Sequence, residues 1–245
     1  MKLVLAETKL IKEPITIISD LVNEAKFKIK KDSIEMVAMD PANVAMVIFR
    51  LLSSSFVEYT VKEETTIAIN LNNLRQVLRR IKGNDNLSIE IAENKLKIML
   101  SGSTVRTFFL PLIELDEKEQ KIPDLKFKTV ITCPSSMLND AIEDVEIIAE
   151  SVSLSAEDKK FTIAASGDSS KAMVEIKTDD NVTIKTDEKV RAKYSIEYLK
   201  KMMQASKISG TVSISFNKDY PLRLEYKEVD KLQMMFILAP RIEND

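Results

Sequence analysis

Arg75, Arg79 and Lys82 stand at i, i+4 and i+7 in "NLRQVLRRIKG" (Asn73 to Gly83), a stretch that also holds Arg80 and contains no acid. On a helix this spacing gathers positive charge along one face, which is chemistry suited to phosphate. Leu74, Val77, Leu78 and Ile81 fall at i, i+3, i+4 and i+7 on another face. The pattern predicts a helix over Asn70 to Lys82, capped by Asn70 or Asn72 and ended by Gly83. The plainer reading is a solvated helix face. Other chemistry is removed by what is missing. The chain has no His, which excludes most zinc sites, His-based triads and imidazole acid–base work. Its four glycines (Gly83, Gly102, Gly167, Gly210) are too far apart for a phosphate-cradling loop. Carboxylates are plentiful, but their spacing singles out no acid–base pair. No catalytic residue, metal ligand or cofactor is therefore expected, and an enzyme ranks last among the readings.

These residues must be positioned by a chain of 245 residues, long enough for one large or two smaller domains. It carries 36 basic and 38 acidic residues, a formal net charge of −2, so the basic stripe is a local concentration. With 44% hydrophobic and 30% charged residues the composition is that of a folded globular protein. No apolar run approaches the roughly 20 residues that span a membrane. "MKLVLAETKLIKEP" is too short and too charged for a signal peptide. A cytoplasmic location is expected, and the single Cys133, with no partner in the chain, agrees.

Most segments alternate apolar and polar with period two. "FKIKK" (Phe27 to Lys31), "IEMVAM" (Ile34 to Met39), "LSIEI" (Leu87 to Ile91), "KLKIML" (Lys95 to Leu100) and "VSISF" (Val212 to Phe216) read as half-buried antiparallel strands. A shift of 125 residues superposes much of the chain on itself. Leu74, Val77 and Leu78 meet Leu199, Met202 and Met203; Arg75, Arg79 and Lys82 meet Lys200, Gln204 and Lys207. Asn70 meets Ser195, and Leu87, Ile89 and Ile91 meet Val212, Ile214 and Phe216. "FKIK" lands on "VSLS" (Val152 to Ser155); with two residues inserted, "IEMVA" lands on "FTIAA" (Phe161 to Ala165). The chain thus reads as α+β: two similar strand-rich domains, each with two short helices. "LIELDEKEQKIPDLKF" (Leu112 to Phe127), acidic in the middle and bounded by Pro111 and Pro123, reads as an exposed connector. The expected organisation is residues 1–111, connector 112–127 and residues 128–245.

Recurrence of the basic stripe argues for one long surface facing a polyanion. No aromatics interleave with these basics, so backbone contact with duplex fits better than stacking on single strands, and no sequence readout is expected.

Five further segments carry a resemblance: "AMDPANVAMV" (Ala38 to Val47), "RTFFLPLIELD" (Arg106 to Asp116), "KIPDLKF" (Lys121 to Phe127), "YPLRLEYK" (Tyr220 to Lys227) and "FILAPRIEND" (Phe236 to Asp245). With the basic helix they span the chain, and their order resembles the proliferating cell nuclear antigen family of archaeal and eukaryotic DNA sliding clamps. The resemblance implies the DNA clamp fold: a pseudo-sixfold ring of three chains, with helices lining a central hole and sheets outside. It implies a processivity factor that encircles double-stranded DNA independently of sequence and performs no chemistry. The partners implied are a clamp loader, DNA polymerase, ligase, flap nuclease and other enzymes bearing a peptide motif, on the chromosome of an archaeal cell.

By the same resemblance the channel helices carry Lys9, Lys12, Arg75, Arg79, Arg80, Lys82, Lys200, Lys201 and Lys207. Pro14 departs from the family pattern. Proline disrupts helix interiors, so the first channel helix is expected to start or bend there, which weakens the placement of Lys9 and Lys12. A helix expected from Pro134 to about Ala149 carries Asp140, Glu143, Asp144 and Glu146 and no base, where the family often has positive residues. These acids are assigned instead to a subunit boundary, facing Arg106, Arg79 or Lys82, with ordinary surface charge as the alternative. There a strand from Ser103 to Leu110, with Arg106 and Phe108, is expected to pair with Lys171 to Thr178 of the next chain, with Met173 and Glu175. A hydrophobic partner groove is implied at Met39, Asn43, Val44, Met46, Leu115, Ile122, Pro221, Leu238, Ala239, Pro240, Arg241 and Ile242. For Val44 and Leu238 the alternative is plain core. Gln120 stands where the family usually has an apolar residue. The competing function is a protein-binding adaptor on the same fold, and the alternative assembly is a heterotrimer of related chains.

Overall fold

The computed structural model describes residues 1–116 and 120–242. Residues 117–119 of the expected connector and 243–245 of the tail lie outside the described residues. The chain forms two compact units. Unit 1 comprises Met1–Pro41, Val47–Ile122 and Glu228–Met234; unit 2 comprises Ala42–Met46, Pro123–Lys227 and the chain from Met235.

The first half runs β1 (Lys2–Leu5), α1 (Lys9–Ser19), β2 (Glu24–Ile29), β3 (Ser33–Met39), β4 (Ala45–Leu52), β5 (Glu58–Thr60), β6 (Thr65–Asn70), α2 (Leu71–Leu78), β7 (Asn86–Ala92), β8 (Lys95–Ser101) and β9 (Val105–Pro111). The second half repeats the order: β10 (Thr129–Pro134), α3 (Ser135–Glu146), β11 (Ser151–Glu157), β12 (Lys160–Ser166), β13 (Lys171–Lys177), β14 (Thr183–Lys185), β15 (Val190–Ser195), α4 (Ile196–Met203), β16 (Thr211–Phe216), β17 (Leu222–Glu228) and β18 (Leu232–Leu238). In unit 1 one sheet has the order β5-β1-β7-β8-β9, and a second set of strands the order β4-β3-β2-β6. Unit 2 has β14-β10-β16-β17 followed by the end of β18, and a separate sheet β13-β12-β11-β15. The halves therefore match strand for strand, with β4 the counterpart of β13 and β18 the counterpart of β9. β18 lies beside β4: the Leu52 N–H donates to the Lys231 carbonyl within unit 1, and the Ala239 N–H to the Val44 carbonyl within unit 2. β9 and β13, by contrast, are the last strands of their sheets.

The repeat is sharp at the helices. Leu71–Leu78 and Ile196–Met203 are separated by the same 125 residues, as are Thr65–Asn70 and Val190–Ser195 before them. The buried stripes also correspond: Leu71, Leu74, Val77 and Leu78 in α2, and Ile196, Leu199, Met202 and Met203 in α4. Burying each such side chain contributes about 1.5–3 kcal/mol, which ties these short helices to their sheets more firmly than eight residues of helix propensity would.

Three expectations need correction. First, α2 ends at Leu78, so Arg80, Ile81 and Lys82 lie beyond the helix. Gly83 has no positive φ and is not the helix stop. The chain turns off because the Arg80 carbonyl accepts from Arg106 Nη1 (2.7 Å), and the Lys82 N–H donates to Asp85 Oδ2 (2.7 Å). Second, α1 starts at Lys9 and runs through Pro14 to Ser19. Pro14 removes only the N–H that would reach the Leu10 carbonyl, and its ring is buried with Leu10, Ile11, Ile15 and Ile18, so packing offsets the lost bond. Lys9 and Lys12 are both on this helix. Third, β2 corresponds to β11 with a shift of 127: Glu24 pairs with Asn70 as Ser151 pairs with Ser195. The two extra residues precede β11. A slip of two keeps every side chain on its own face, so alternation alone could not tell 125 from 127.

Candidate nucleic-acid interface

In unit 1, α1 packs beside α2. Arg75 Nη1 donates to Asp20 Oδ1 at 2.7 Å and to Ser19 Oγ at 3.2 Å, so this arginine fastens the end of α1 to α2. Lys9 is 3.1 Å from Glu7. Lys12, Arg79, Arg80 and Lys82 form no ion pair among the described residues, and the last three are exposed. Their charge is available to a ligand; that of Arg75 is largely committed.

In unit 2, α3 packs beside α4. Lys200 lies 2.6 Å from Glu146 of α3. Lys201 lies 2.7 Å from Glu197, one turn earlier, and stacks over the Tyr198 ring at 5.3 Å. Lys207 closes a 3-10 turn after α4 and is exposed, with no ion pair among the described residues. Asp140, Glu143 and Asp144 are exposed on α3 and likewise unpaired among the described residues. The basic face thus recurs in the sequence, but its charge is offset by carboxylates in the second unit. Sequence spacing missed this because Glu146 and Lys200 are distant along the chain and meet only through helix packing.

Arg106, expected at a subunit boundary, is already bound within unit 1. Its Nη2 donates to Asp85 Oδ2, and its Nη1 to the Arg80 carbonyl. The Asp85 carboxyl is held below its ordinary value, first by the Lys82 N–H and then by the Arg106 hydrogen bond and charge, against an opposing effect of burial. Asp85 was not singled out in the sequence; an aspartate two residues after Gly83, in a turn that closes on its own backbone, was the available signal.

On β9, Val105, Thr107 and Phe109 are exposed, whereas Phe108 pairs across from buried Ile98 and turns toward the core side. On β13, Lys171, Met173 and Glu175 are exposed. Val105, Phe109 and Met173 are 69%, 55% and 65% accessible, which is unusual for large apolar side chains on the last strand of a sheet.

Of the groove residues in unit 1, Met39 and Leu115 are half-buried and Ile122 is exposed. Gln120, Lys121 and Ile122 border a cavity of about 710 Å³ over the outer face of β2 and β3. In unit 2, Leu238 and Met46 are buried, which fits the plain-core alternative stated for Leu238 and makes Met46 core as well. Val44, Pro221, Ala239 and Pro240 are half-buried, while Asn43, Arg241 and Ile242 are exposed. Asn43 has a left-handed φ of 57°. The tail is fixed by the Ala239 N–H to Val44 and the Arg241 N–H to the Lys193 carbonyl at 2.7 Å. Cys133 is buried and its thiol is pushed up to about 11 by burial, the opposite of an activated nucleophile.

Residues 1–120 match the family described as "Proliferating cell nuclear antigen, N-terminal domain", and residues 121–241 match its C-terminal domain. A DNA polymerase sliding clamp of Nanoarchaeum equitans is 34% identical, covering 98% of this chain and 99% of the relative. One from Pyrococcus furiosus is 33% identical over 92% of each. A crystal structure of PCNA from Thermococcus kodakaraensis superposes with a TM-score of 0.92 at 26% identity, covering 98% of this chain and 99% of that one. The chain belongs to the proliferating cell nuclear antigen family. Its fold is the α+β clamp fold, two similar antiparallel-sheet domains with short helices.

Proposed function

We propose that this chain is a DNA polymerase sliding clamp, a ring that encircles duplex DNA and tethers enzymes to it. The observation that carries the reading is the mismatch between equivalent strands. β18 lies against β4, yet their counterparts β9 and β13 end their sheets. A β9 edge of one copy is the natural partner for the β13 edge of the next, joined as β18 joins β4. Such a joint is head-to-tail and generates a closed ring when its rotation closes. Three copies, the number the family resemblance implies, then place six domains around one hole.

In this reading Lys12, Arg79, Arg80, Lys82 and Lys207 face phosphates most openly, with Lys9, Arg75, Lys200 and Lys201 partly committed to carboxylates. Asp140, Glu143 and Asp144 lie on α3, which packs beside β13, and with Arg106 tied to Asp85 and Arg79 and Lys82 given to phosphate they are ordinary surface charge. The ring works through topology: individual contacts stay weak while linkage holds a bound enzyme at high effective concentration. The chain is organised as domains 1–111 and 128–245 joined by connector 112–127, with Ala42–Met46 and Glu228–Met234 each packed in the other half's compact unit. Leu115 and Ile122 of unit 1 and Ile242 of unit 2 are each available to an aliphatic and aromatic plug from polymerase, ligase or flap nuclease, and an ATP-driven loader opens the ring. The clamp itself catalyses nothing, and it acts with the chromosome inside the cell.

A second reading, a scaffold that holds proteins more than DNA or one subunit of a mixed ring, is favoured by the acidic α3 and the offset lysines of α4. One experiment separates them. Protein loaded on nicked circular DNA is expected to stay bound through a high-salt wash and to be released when the circle is cut open. Retention that ignores cutting, or no salt-resistant retention at all, sinks the clamp reading for this chain.

A further inference from the structure

In unit 2 the tail crosses β15, and beside that crossing lies a pocket of about 280 Å³ lined by Ser153, Arg191, Lys193, Lys218, Asp219, Arg241 and Ile242. Its floor is made by alternation. β11 presents Ser151, Ser153 and Ser155 on one face while Val152, Leu154 and Ala156 are buried on the other. β15 likewise presents Arg191 and Lys193 outward and buries Ala192 and Tyr194. Ser153 stands directly opposite Lys193, and Ser155 opposite Arg191. Small hydroxyl side chains beside long basic ones leave a concavity rimmed by positive charge.

The two arginines are oriented by hydroxyls. Arg191 Nη2 donates to Ser153 Oγ at 3.0 Å, and Arg241 Nη1 to Ser151 Oγ at 2.5 Å. Among the described residues, Arg191, Lys218 and Arg241 make no ion pair; Asp219 is the carboxylate in the lining, and Glu197, paired with Lys201, lies near enough to Arg241 to feel its charge. A neutral acceptor fixes a guanidinium without cancelling its charge, so each arginine keeps donors for an incoming anion. The first unit carries a related arrangement. There Lys26 and Lys28 of β2 stand opposite Ala68 and Thr66 of β6, and the Ile113 N–H donates to the Ala68 carbonyl as Arg241 donates to Lys193. The basic residues have changed strands between the repeats, but the face and the crossing segment are the same.

We propose that the Arg191–Lys218–Arg241 pocket binds carboxylates of an acidic peptide segment that flanks the apolar plug of a partner. The inference rests on the groove reading, because Arg241 and Ile242 belong to both the tail of the groove and the rim of the pocket. The encircled duplex is not the occupant. β15 buries Ala192 and Tyr194 on one face and α4 buries Ile196, Leu199, Met202 and Met203 into the core, while Arg191 and Lys193 stand on the opposite face of β15, away from that core. A pocket of this size takes one or two carboxylates, and the arginine fork matches them.

The test uses the full chain and three peptides: the plug with a glutamate flank, the plug with a glutamine flank, and the glutamate flank with its plug residues replaced by Ala. By fluorescence anisotropy the wild type is expected to bind the glutamate-flanked plug about tenfold tighter than the glutamine-flanked one. Arg191→Ser with Lys218→Ser is expected to abolish that difference and leave the glutamine-flanked affinity unchanged. In parallel, the plugless acidic peptide or a short DNA duplex is titrated while the arginine Nε–H resonances of Arg191 and Arg241 are followed by NMR; the peptide is expected to move them and the duplex not. If neither plug peptide binds, the groove reading fails, and the NMR titration still decides the pocket. Equal affinity for the two flanks, a preference that survives in the variant, or resonances moved by duplex and not by peptide overturns the proposal.

Discussion

Asp85 shows how one side chain sets where the basic charges go. Its carboxylate takes the Lys82 N–H and the Arg106 guanidinium, and Arg106 in turn holds the Arg80 carbonyl. Gly102 is part of the same arrangement, since a Cβ there would fall on the Asp85 carboxylate. Arg106→Glu would therefore injure the folded unit before it reached any neighbouring copy, and it is a poor probe of assembly. Asp85→Asn probes the arrangement itself, through stability. The carboxyl's folded pKa is lowered, so its contribution to stability is complete above the unfolded value of about 3.9 and is lost as pH falls through the lower folded value. Asp85→Asn is expected to lower the unfolding midpoint at pH 7, and the gap to wild type is expected to narrow steadily below about pH 4. Circular dichroism melts across that range check it; a gap of constant size would mean that lost packing, not charge, is responsible.

Between α2 and α4 the difference lies in what answers the charge. Lys200 must leave Glu146 before it can meet a phosphate, whereas Arg79 has no such tie among the described residues. On a short linear duplex, where topology does not hold the ring, Arg79→Ala is expected to weaken low-salt binding more than Lys200→Ala does and to flatten its salt dependence, because each phosphate contact adds to the salt dependence. Glu146→Gln is expected to strengthen that linear-duplex binding by releasing Lys200; equal loss from both lysine and arginine variants would show that the ion pair does not persist. The apolar stripes, the strands and the repeat were legible because burial writes a period into the sequence. The end of α2 was not: Gly83 is an attractive stop signal, but the turn is made by Asp85, three residues from Lys82, and by Arg106, which reaches back to Asp85 from 21 residues on. Pro14 misled for a related reason, since the packing that offsets its missing donor involves tertiary neighbours. Phe108 and Phe109 are adjacent and equally apolar, and only the register against β8 reveals that Phe109 is the outward one.

At the level of the assembled clamp, the two last strands are the decisive feature. Phe109→Lys combined with Met173→Lys puts like charge at both sides of the proposed joint. Light scattering is expected to give the mass of a single chain for this variant and three times that for wild type. A trimer unaffected by both changes would put the joint elsewhere.

In the proposed joint the same two strands make each chain bivalent and polar, like a link with a hook at one end and an eye at the other. A chain altered only on β13 keeps an intact β9 and can still seize a healthy copy. It then acts as a chain stopper: arcs form, but no circle that includes it can close. In an equal mixture with wild type, only about one trimer in eight would consist of intact links alone, if copies assort at random. Dominance of a one-edged variant over its wild-type partner in the same cell follows from counting hooks and eyes, with no contact to DNA or to any enzyme involved.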